Sequence, residues 1–250
     1  MNILIYCQHV LGIGHLVRTL EIARALERHR VTLVLGGPPA RIRIPPRIRV
    51  VRLPGLKMDA GFAELSPVDP AHTLAEVREH RLARLRGLVV ETRPDIFLVE
   101  LFPFGRNLFS FELLPLLQGI RDGTLPSCRV VCSLRDILVE KNDREKYEQR
   151  TLDRLNTLFD ALLVHGDPEV LPLDATFARV ADIAVPLVYT GYISRGADHR
   201  RGATLRRCLQ AARQKLIVVS AGGGSVGYRL LEAAVQAFSL LPAAAAMAVF

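Results

Sequence analysis

The sequence predicts a doubly wound, parallel α/β domain followed by the opening of a second domain of the same kind. Short β-branched and aliphatic runs alternate with helix-periodic stretches from the first residue to about residue 193, and most of these runs end in glycine, proline or polar turn residues. The strand-loop-helix theme then restarts at Lys215. A glycine-rich loop follows the first strand-like run of each part, Gly12-Ile13-Gly14-His15 in the first and Gly222-Gly223-Gly224-Ser225-Val226-Gly227 in the second.

The run Asn2 to Cys7 reads as a strand. It is followed by the first glycine loop and by Leu16, Leu20, Ala23 and Leu26 at helical spacing. Val31 to Leu35 is a second strand ending at Gly36-Gly37-Pro38-Pro39, and Ile48 to Leu53 a third ending at Pro54-Gly55. From about Pro70 to Glu91, charged residues interleave with Leu74, Val77, Leu82, Leu85 and Leu88 as in a long amphipathic helix. Pro94-Asp95 terminates it before the apolar run Ile96 to Val99, which reads as a central strand. Leu101 to Gln118, rich in phenylalanine and leucine, is expected as a packed helix, with a membrane-touching surface as the alternative. Strands at Arg129 to Leu134, Asp160 to Val164 and Pro186 to Tyr189, with a helix at Arg144 to Leu158, complete the first domain. The expected division is residues 1–193 for that domain, 194–214 for a connection rich in arginine, and 215–250 for the start of the second. A doubly wound domain needs about a hundred residues, so the second domain is expected to be truncated and the chain to be a fragment of a longer protein.

Half of the 250 residues are hydrophobic, enough for a sizeable core, and the apolar stretches are too short to span a bilayer. The chain opens directly on a strand, without a basic segment and cleavage site, so a cytoplasmic location is expected. The four cysteines, Cys7, Cys128, Cys132 and Cys208, are scattered, and Cys128 and Cys132 sit in a strand-like run. Neither a zinc site nor a disulfide framework is expected from them. The net charge of +8 is carried almost wholly by arginine spread along the chain. That distribution fits a general compositional bias better than a nucleic-acid interface, which would interleave aromatics with one basic face. The local arginine clusters around Pro45-Pro46 and between Arg195 and Arg207 leave room for peripheral contact with an anionic membrane.

The chemistry is expected at the loops. Gly12 and Gly14 let the backbone approach a ligand closely, while the following helix directs unpaired N–H groups at the same place, as suits an anion. His15 stands at the head of that helix, where the neutral imidazole is favoured, and Arg18 lies one turn later on the same face. The pair could address a hydroxyl and a phosphate of one ligand, with His15 as general base; the alternative is a capping histidine and an arginine paired with Glu21. In the second loop, backbone amides with Ser225 could hold a diphosphate without lysine or metal. No Gly-Lys-Ser/Thr follows, so it is not a P-loop.

The two loops together resemble those of glycosyltransferases with paired Rossmann-like domains, the GT-B arrangement, and in particular the family that includes the transferase making lipid II. The likeness rests on Gly12-Ile13-Gly14-His15 and on Gly223 to Gly227. The wider run Tyr6 to His15 looks like a bacterial group of predicted glycosyltransferases related to that enzyme. It spans nearly the whole chain in architecture and these loops in specific residues. It implies inverting transfer from a nucleotide diphosphate sugar, a UDP-sugar by preference, to an acceptor held by the first domain. His15 would be the base, and Gly12, Gly14 and Arg18 would bind the acceptor or a phosphate. Gly223, Gly224, Ser225 and Gly227 would hold the donor diphosphate. No metal or other cofactor is implied. Parts of the family's donor site lie beyond Phe250, so the chain is expected to be a poor catalyst. Gly-x-Gly-His-x-x-Arg, Gly12 through Arg18, also looks like the loop of nucleotide-sugar hydrolases in the same superfamily, and a non-catalytic binding fragment is a third reading. Among residues at strand ends, Glu100, Ser133 to Asp136, His165 to Asp167 and Thr190 to Tyr192, Asp136 ranks first as the orienter of His15 or a second base.

Overall fold

The computed structural model of the chain describes residues 1–9, 13–40, 42–58, 64–135, 137–138, 143–196, 199–209, 216–221, 227–240 and 247–249. The chain divides into two compact units, one holding Met1–Val10 and Gly14–Ser194, the other Leu11–Ile13 and Arg195–Phe250.

The first unit runs β1 (Asn2–Cys7), α1 (Gly14–Ala25), β2 (Arg30–Leu35), β3 (Arg49–Arg52), β4 (Leu56–Met58), β5 (Leu65–Pro67), α2 (Leu74–Thr92), β6 (Ile96–Glu100), α3 (Ser110–Arg121), β7 (Arg129–Arg135), α4 (Arg144–Leu158), β8 (Ala161–His165) and β9 (Leu187–Tyr189). Seven strands form one sheet in the order β3-β2-β1-β6-β7-β8-β9, with every neighbouring pair parallel. This is the doubly wound parallel sheet that the alternating pattern predicts. Helices cover both faces, so the central strands are apolar almost without interruption: β1 is buried from Ile3 to Cys7 and β6 from Phe97 to Glu100. On one face Leu16, Leu20 and Ala23 of α1 pack on Ile3, Ile5, Leu33 and Leu98. On the other, α2, α3 and α4 bring Leu85, Leu88, Leu113, Leu117 and Leu155 against Leu4, Val34, Phe97 and Val130.

Local chemistry sets the boundaries. Helix α2 begins at Leu74, later than the periodicity alone suggests, because Thr73 and Glu76 form a reciprocal capping box. It stops where Arg93 adopts a left-handed conformation (φ 38°) ahead of Pro94. The stretch from Leu101 to Gln118 is not one helix. A tight turn comes first, and α3 starts at Ser110. Phe102, Phe104 and Phe109 are buried in the core, with Phe104 packed edge-on against Phe177 at 5.1 Å between ring centroids. The antiparallel hairpin of β4 and β5 has three residues per strand, too few to show an alternation in sequence.

The second unit contains α5 (His199–Cys208), β10 (Leu216–Val218), α6 (Tyr228–Ser239) and β11 (Met247–Val249), with β10 and β11 parallel. Helix α5 lies in the span expected to be a simple connection. Gly227 precedes α6 with φ 130°, and a Cβ there would sit 2.5 Å from Ala221 Cβ, so a side chain is excluded on two counts.

Candidate active site

From β1 the chain moves outward to β2 and β3, then returns through α2 to β6 on the other flank of β1. The strand order therefore reverses between β1 and β6. In doubly wound sheets the carboxyl ends of the strands flanking such a reversal are where ligands bind.

His15 and Glu100 meet at this reversal. Gly14 and His15 open α1, and Glu100 is the last residue of β6. His15 Nδ1 lies 2.5 Å from Glu100 Oε1, and Arg18 Nη2 lies 3.2 Å from the same oxygen. Arg18 Nη2 is also 3.3 Å from His15 Nδ1. Both nitrogens are donors to the shared carboxylate oxygen, so that approach reflects their common acceptor. With Nδ1–H donating to Glu100, Nε2 is left as an acceptor on a ring that is 23% exposed. Glu100 itself is 1% exposed. Burial pushes its carboxyl pKa upward, but the hydrogen bond from His15 and the charges of His15, Arg106 and Arg18 outweigh this and hold it below the ordinary carboxylate value.

Arg106 reaches the site through backbone geometry. Leu101 (φ 66°) and Arg106 (φ 57°) are left-handed, and Gly105 N–H donates to the Leu101 carbonyl at 2.8 Å. The turn folds the chain back so that Arg106 Nε stands 3.9 Å from Glu100 Oε2. Two guanidinium groups and an imidazole thus surround one carboxylate.

A second polar group lies farther along the carboxyl edge. His165, at the end of β8, has Nε2 2.7 Å from Ser133 Oγ and Nδ1 2.8 Å from Thr190 Oγ1. Burial, with a contribution from the Arg18 charge, pushes its pKa down to about 4, so the ring is neutral. Beneath the β1 side, fully buried Arg81 of α2 donates two hydrogen bonds to Glu112 of α3, at 2.8 and 2.6 Å, and others to Gln8 Oε1 and to the carbonyls of Gly36 and Pro54. Tyr6 donates its hydroxyl proton to Glu112. This network ties the exits of β1, β2 and β3 to α2 and α3, and so fixes the edge from which α1 departs.

Of the residues singled out by sequence, His15 and Arg18 come together at Glu100, with Gly14 opening the helix that carries them. Arg18 pairs with Glu100, and Arg24 pairs with Glu21 at 2.6 Å. Gly12, Asp136, Gly223, Gly224 and Ser225 lie outside the described residues. Gly227 stands before α6 in the second unit. Among the described residues the carboxylate that pairs with His15 is Glu100, ranked below Asp136 from sequence. Its signal was a carboxylate closing an apolar strand, a costly residue to bury unless partnered. Among the described residues no cluster of three or more histidine, cysteine, aspartate or glutamate side chains could hold a metal ion, and no helix is long and apolar enough to cross a membrane. A cleft at the opposite, amino edge is lined by Arg30, Arg47, Arg49 and Glu91 among others. Its cations lie beside the carboxyl end of α2, a position that complements the helix dipole and needs no ligand.

The sequence matches no protein-family model and no curated protein. Solved structures share its fold. A UDP-glucosyltransferase from Polygonum tinctorium capable of glucosylating indoxyl, in complex with 3,4-dichloroaniline, matches with a TM-score of 0.60 and 17% identity over 99% of this chain and 71% of its own. Anabaena Alr3699/HepE in complex with UDP matches with a TM-score of 0.55 and 13% identity over 100% of this chain and 62% of its own. Apo UGT2 of Phytolacca americana matches with a TM-score of 0.53 and 15% identity over 90% and 59%. The chain therefore spans about three fifths of the length of the latter two proteins. At these identities the likeness establishes the fold, the Rossmann-like GT-B architecture that these proteins share.

Proposed function

We propose that the chain carries the acceptor side of a glycosyltransferase that moves a sugar from a nucleotide diphosphate carrier, UDP by preference, to an acceptor hydroxyl with inversion. The observation that carries this reading is the His15–Glu100 pair at the carboxyl ends of β1 and β6, where the strand order reverses. Glu100 accepts from Nδ1–H and leaves Nε2 to take the acceptor proton as the acceptor oxygen bonds to the anomeric carbon. The bond from that carbon to the diphosphate breaks, and its electron pair leaves with the nucleotide. Glu100 stabilises the imidazolium that forms. Arg18 and Arg106 keep Glu100 ionised and leave the edge with an excess of positive charge.

The donor diphosphate is assigned to the Gly223, Gly224, Ser225 and Gly227 loop, where backbone amides, a hydroxyl and the head of α6 supply the stabilisation that a metal gives in other transferases. Support comes from the loop sequences, from the fold shared with UDP-sugar transferases, and from the donor complexes among them. One of these is Phytolacca americana UGT2 with UDP-2-fluoroglucose and pterostilbene, and another is Anabaena HepE with UDP-glucose. The loop sequences also favour the lipid II synthase type as the branch.

The test is UDP release from UDP-glucose and UDP-N-acetylglucosamine with and without a panel of hydroxyl acceptors, including a lipid diphosphate-linked sugar. Acceptor-dependent release that disappears in His15→Ala supports transfer. Release of free sugar without acceptor identifies a hydrolase, and no release by folded protein with any donor rejects the enzyme reading.

A further inference from the structure

The hydroxyl-imidazole-hydroxyl chain of Ser133, His165 and Thr190 lies outside the base assignment, yet it borders Glu100. Ser133 on β7 is the register partner of Glu100 on β6, and register partners in a parallel pair project from the same face of the sheet. Glu100 Oε2 is buried and has no hydrogen bond among the described residues; Arg106 Nε, at 3.9 Å, is too far to donate one. A buried carboxylate oxygen with a hydroxyl on the neighbouring register position ordinarily accepts a hydrogen bond from it. Here the Ser133 oxygen is instead 2.7 Å from His165 Nε2.

The direction of the chain follows from its far end. Thr190 Oγ1 lies 3.1 Å from the Gly191 carbonyl and 3.4 Å from that of Val164, both of which can only accept. Thr190 therefore donates to a carbonyl and accepts from His165 Nδ1–H, which leaves Nε2 to accept the single Ser133 proton.

We propose that Ser133, His165 and Thr190 are positioning residues that reserve Glu100 for His15, because the imidazole held between two hydroxyls draws the Ser133 proton away from the carboxylate. His15 and Arg18 then remain the hydrogen-bond donors to Glu100, and the short His15–Glu100 bond is kept strong. Loss of His165 frees the Ser133 hydroxyl to rotate and donate to Glu100 Oε2. The carboxylate then shares its charge with a further donor and holds His15 less tightly. The catalytic consequence rests on the reading of His15 as base; the hydrogen-bond arrangement does not.

The experiment is proton and nitrogen NMR of the imidazoles in the 250-residue protein at neutral pH without substrates. In the unaltered protein His165 should show a protonated Nδ1 and an unprotonated Nε2, and the His15 Nδ1–H resonance should lie far downfield. His165→Leu should shift that His15 resonance upfield. Ser133→Ala should leave it in place, and the double variant Ser133→Ala/His165→Leu should return it to its original position. His165→Gln, whose amide oxygen can still accept from Ser133, should also preserve it. A protonated Nε2 on His165, an unmoved His15 resonance in His165→Leu, or a shift in Ser133→Ala overturns the proposal. Should His165→Leu fail to fold, the His165 protonation pattern and the Ser133→Ala spectrum decide it. If the resonances behave as stated while His15→Ala retains turnover, the relay stands and the base assignment fails.

Discussion

Glu100, at the end of β6, accepts from His15 Nδ1 at 2.5 Å, although the two residues are 85 positions apart in the chain. A carboxylate in this place fixes the ring orientation and the tautomer, and supports the positive charge that develops when the ring takes a proton. Glu100→Gln keeps the shape and loses the charge. In the active protein kcat should fall by about 100-fold or more with donor KM little changed. Because the two residues act as a unit, His15→Ala/Glu100→Gln should be no slower than His15→Ala alone. Losses that multiply would show that Glu100 acts elsewhere.

The sheet was legible because strands buried on both faces leave unbroken apolar runs such as Ile3 to Cys7 and Phe97 to Val99, and glycine and proline punctuate them. The site was legible in halves. His15 and Arg18 were marked by their glycine loop, whereas Glu100 had no sequence neighbour to announce its role, since strand order alone brings it to His15. Arg81 and Glu112 were hidden for a related reason. On an amphipathic helix a charged residue reads as a solvated face, and only the packing of α2 on α3 shows that these two are fully buried and satisfy each other. Helix α5, with four arginines and few apolar residues, is so polar on average that it reads as a connection.

Breaking the Arg81–Glu112 pair should be costly. Arg81→Met strands an ionised Glu112 and leaves Gln8 Oε1 and two carbonyls without their donor. Urea unfolding should show a loss of about 3–5 kcal/mol. Arg81→Met/Glu112→Leu removes both charges and should recover part of that loss. A loss in the double variant equal to the sum of the two single losses would mean that the pair is not coupled.

Stability should fall as the pH is lowered below neutrality, in two stages. His165 is neutral in both states above pH 6.5. Between 6.5 and about 4 the unfolded chain binds its proton and the folded protein does not, so stability declines, by on the order of 3 kcal/mol in full. Below about 4 both states are protonated and this slope ends. Glu100, whose folded pKa is lowered from 4.5, adds a further decline below that value, because its carboxylate must be protonated in the unfolded chain first. Urea unfolding at a series of pH values from 7 downward measures both. His165→Leu should flatten the first stage and leave the second, and an unchanged first stage would remove His165 as its source.

Two glycines offer opposite outcomes for the same substitution. A Cβ on Gly37 would lie 1.8 Å from the His9 carbonyl oxygen and 2.8 Å from its carbon, both backbone atoms at the exit of β1. No rotation of a side chain relieves that clash, so Gly37→Ala must displace the segment that leads into α1. A Cβ on Gly87, in the exposed face of α2, meets nothing within 4 Å. Gly87→Ala therefore gains the helix propensity of alanine, about 0.5–1 kcal/mol, which raises Tm by roughly 1–4 °C for a unit of this size. Gly37→Ala should lose about 2 kcal/mol or more, lowering Tm, and should move the His15 Nδ1–H resonance, because α1 carries His15 relative to Glu100. Thermal melts of the two variants beside the unaltered protein check the signs. A Gly37→Ala protein as stable as the original would show that the β1 exit yields without strain, and that the approach of His15 to Glu100 is not held in place by the contact of Gly37 with His9.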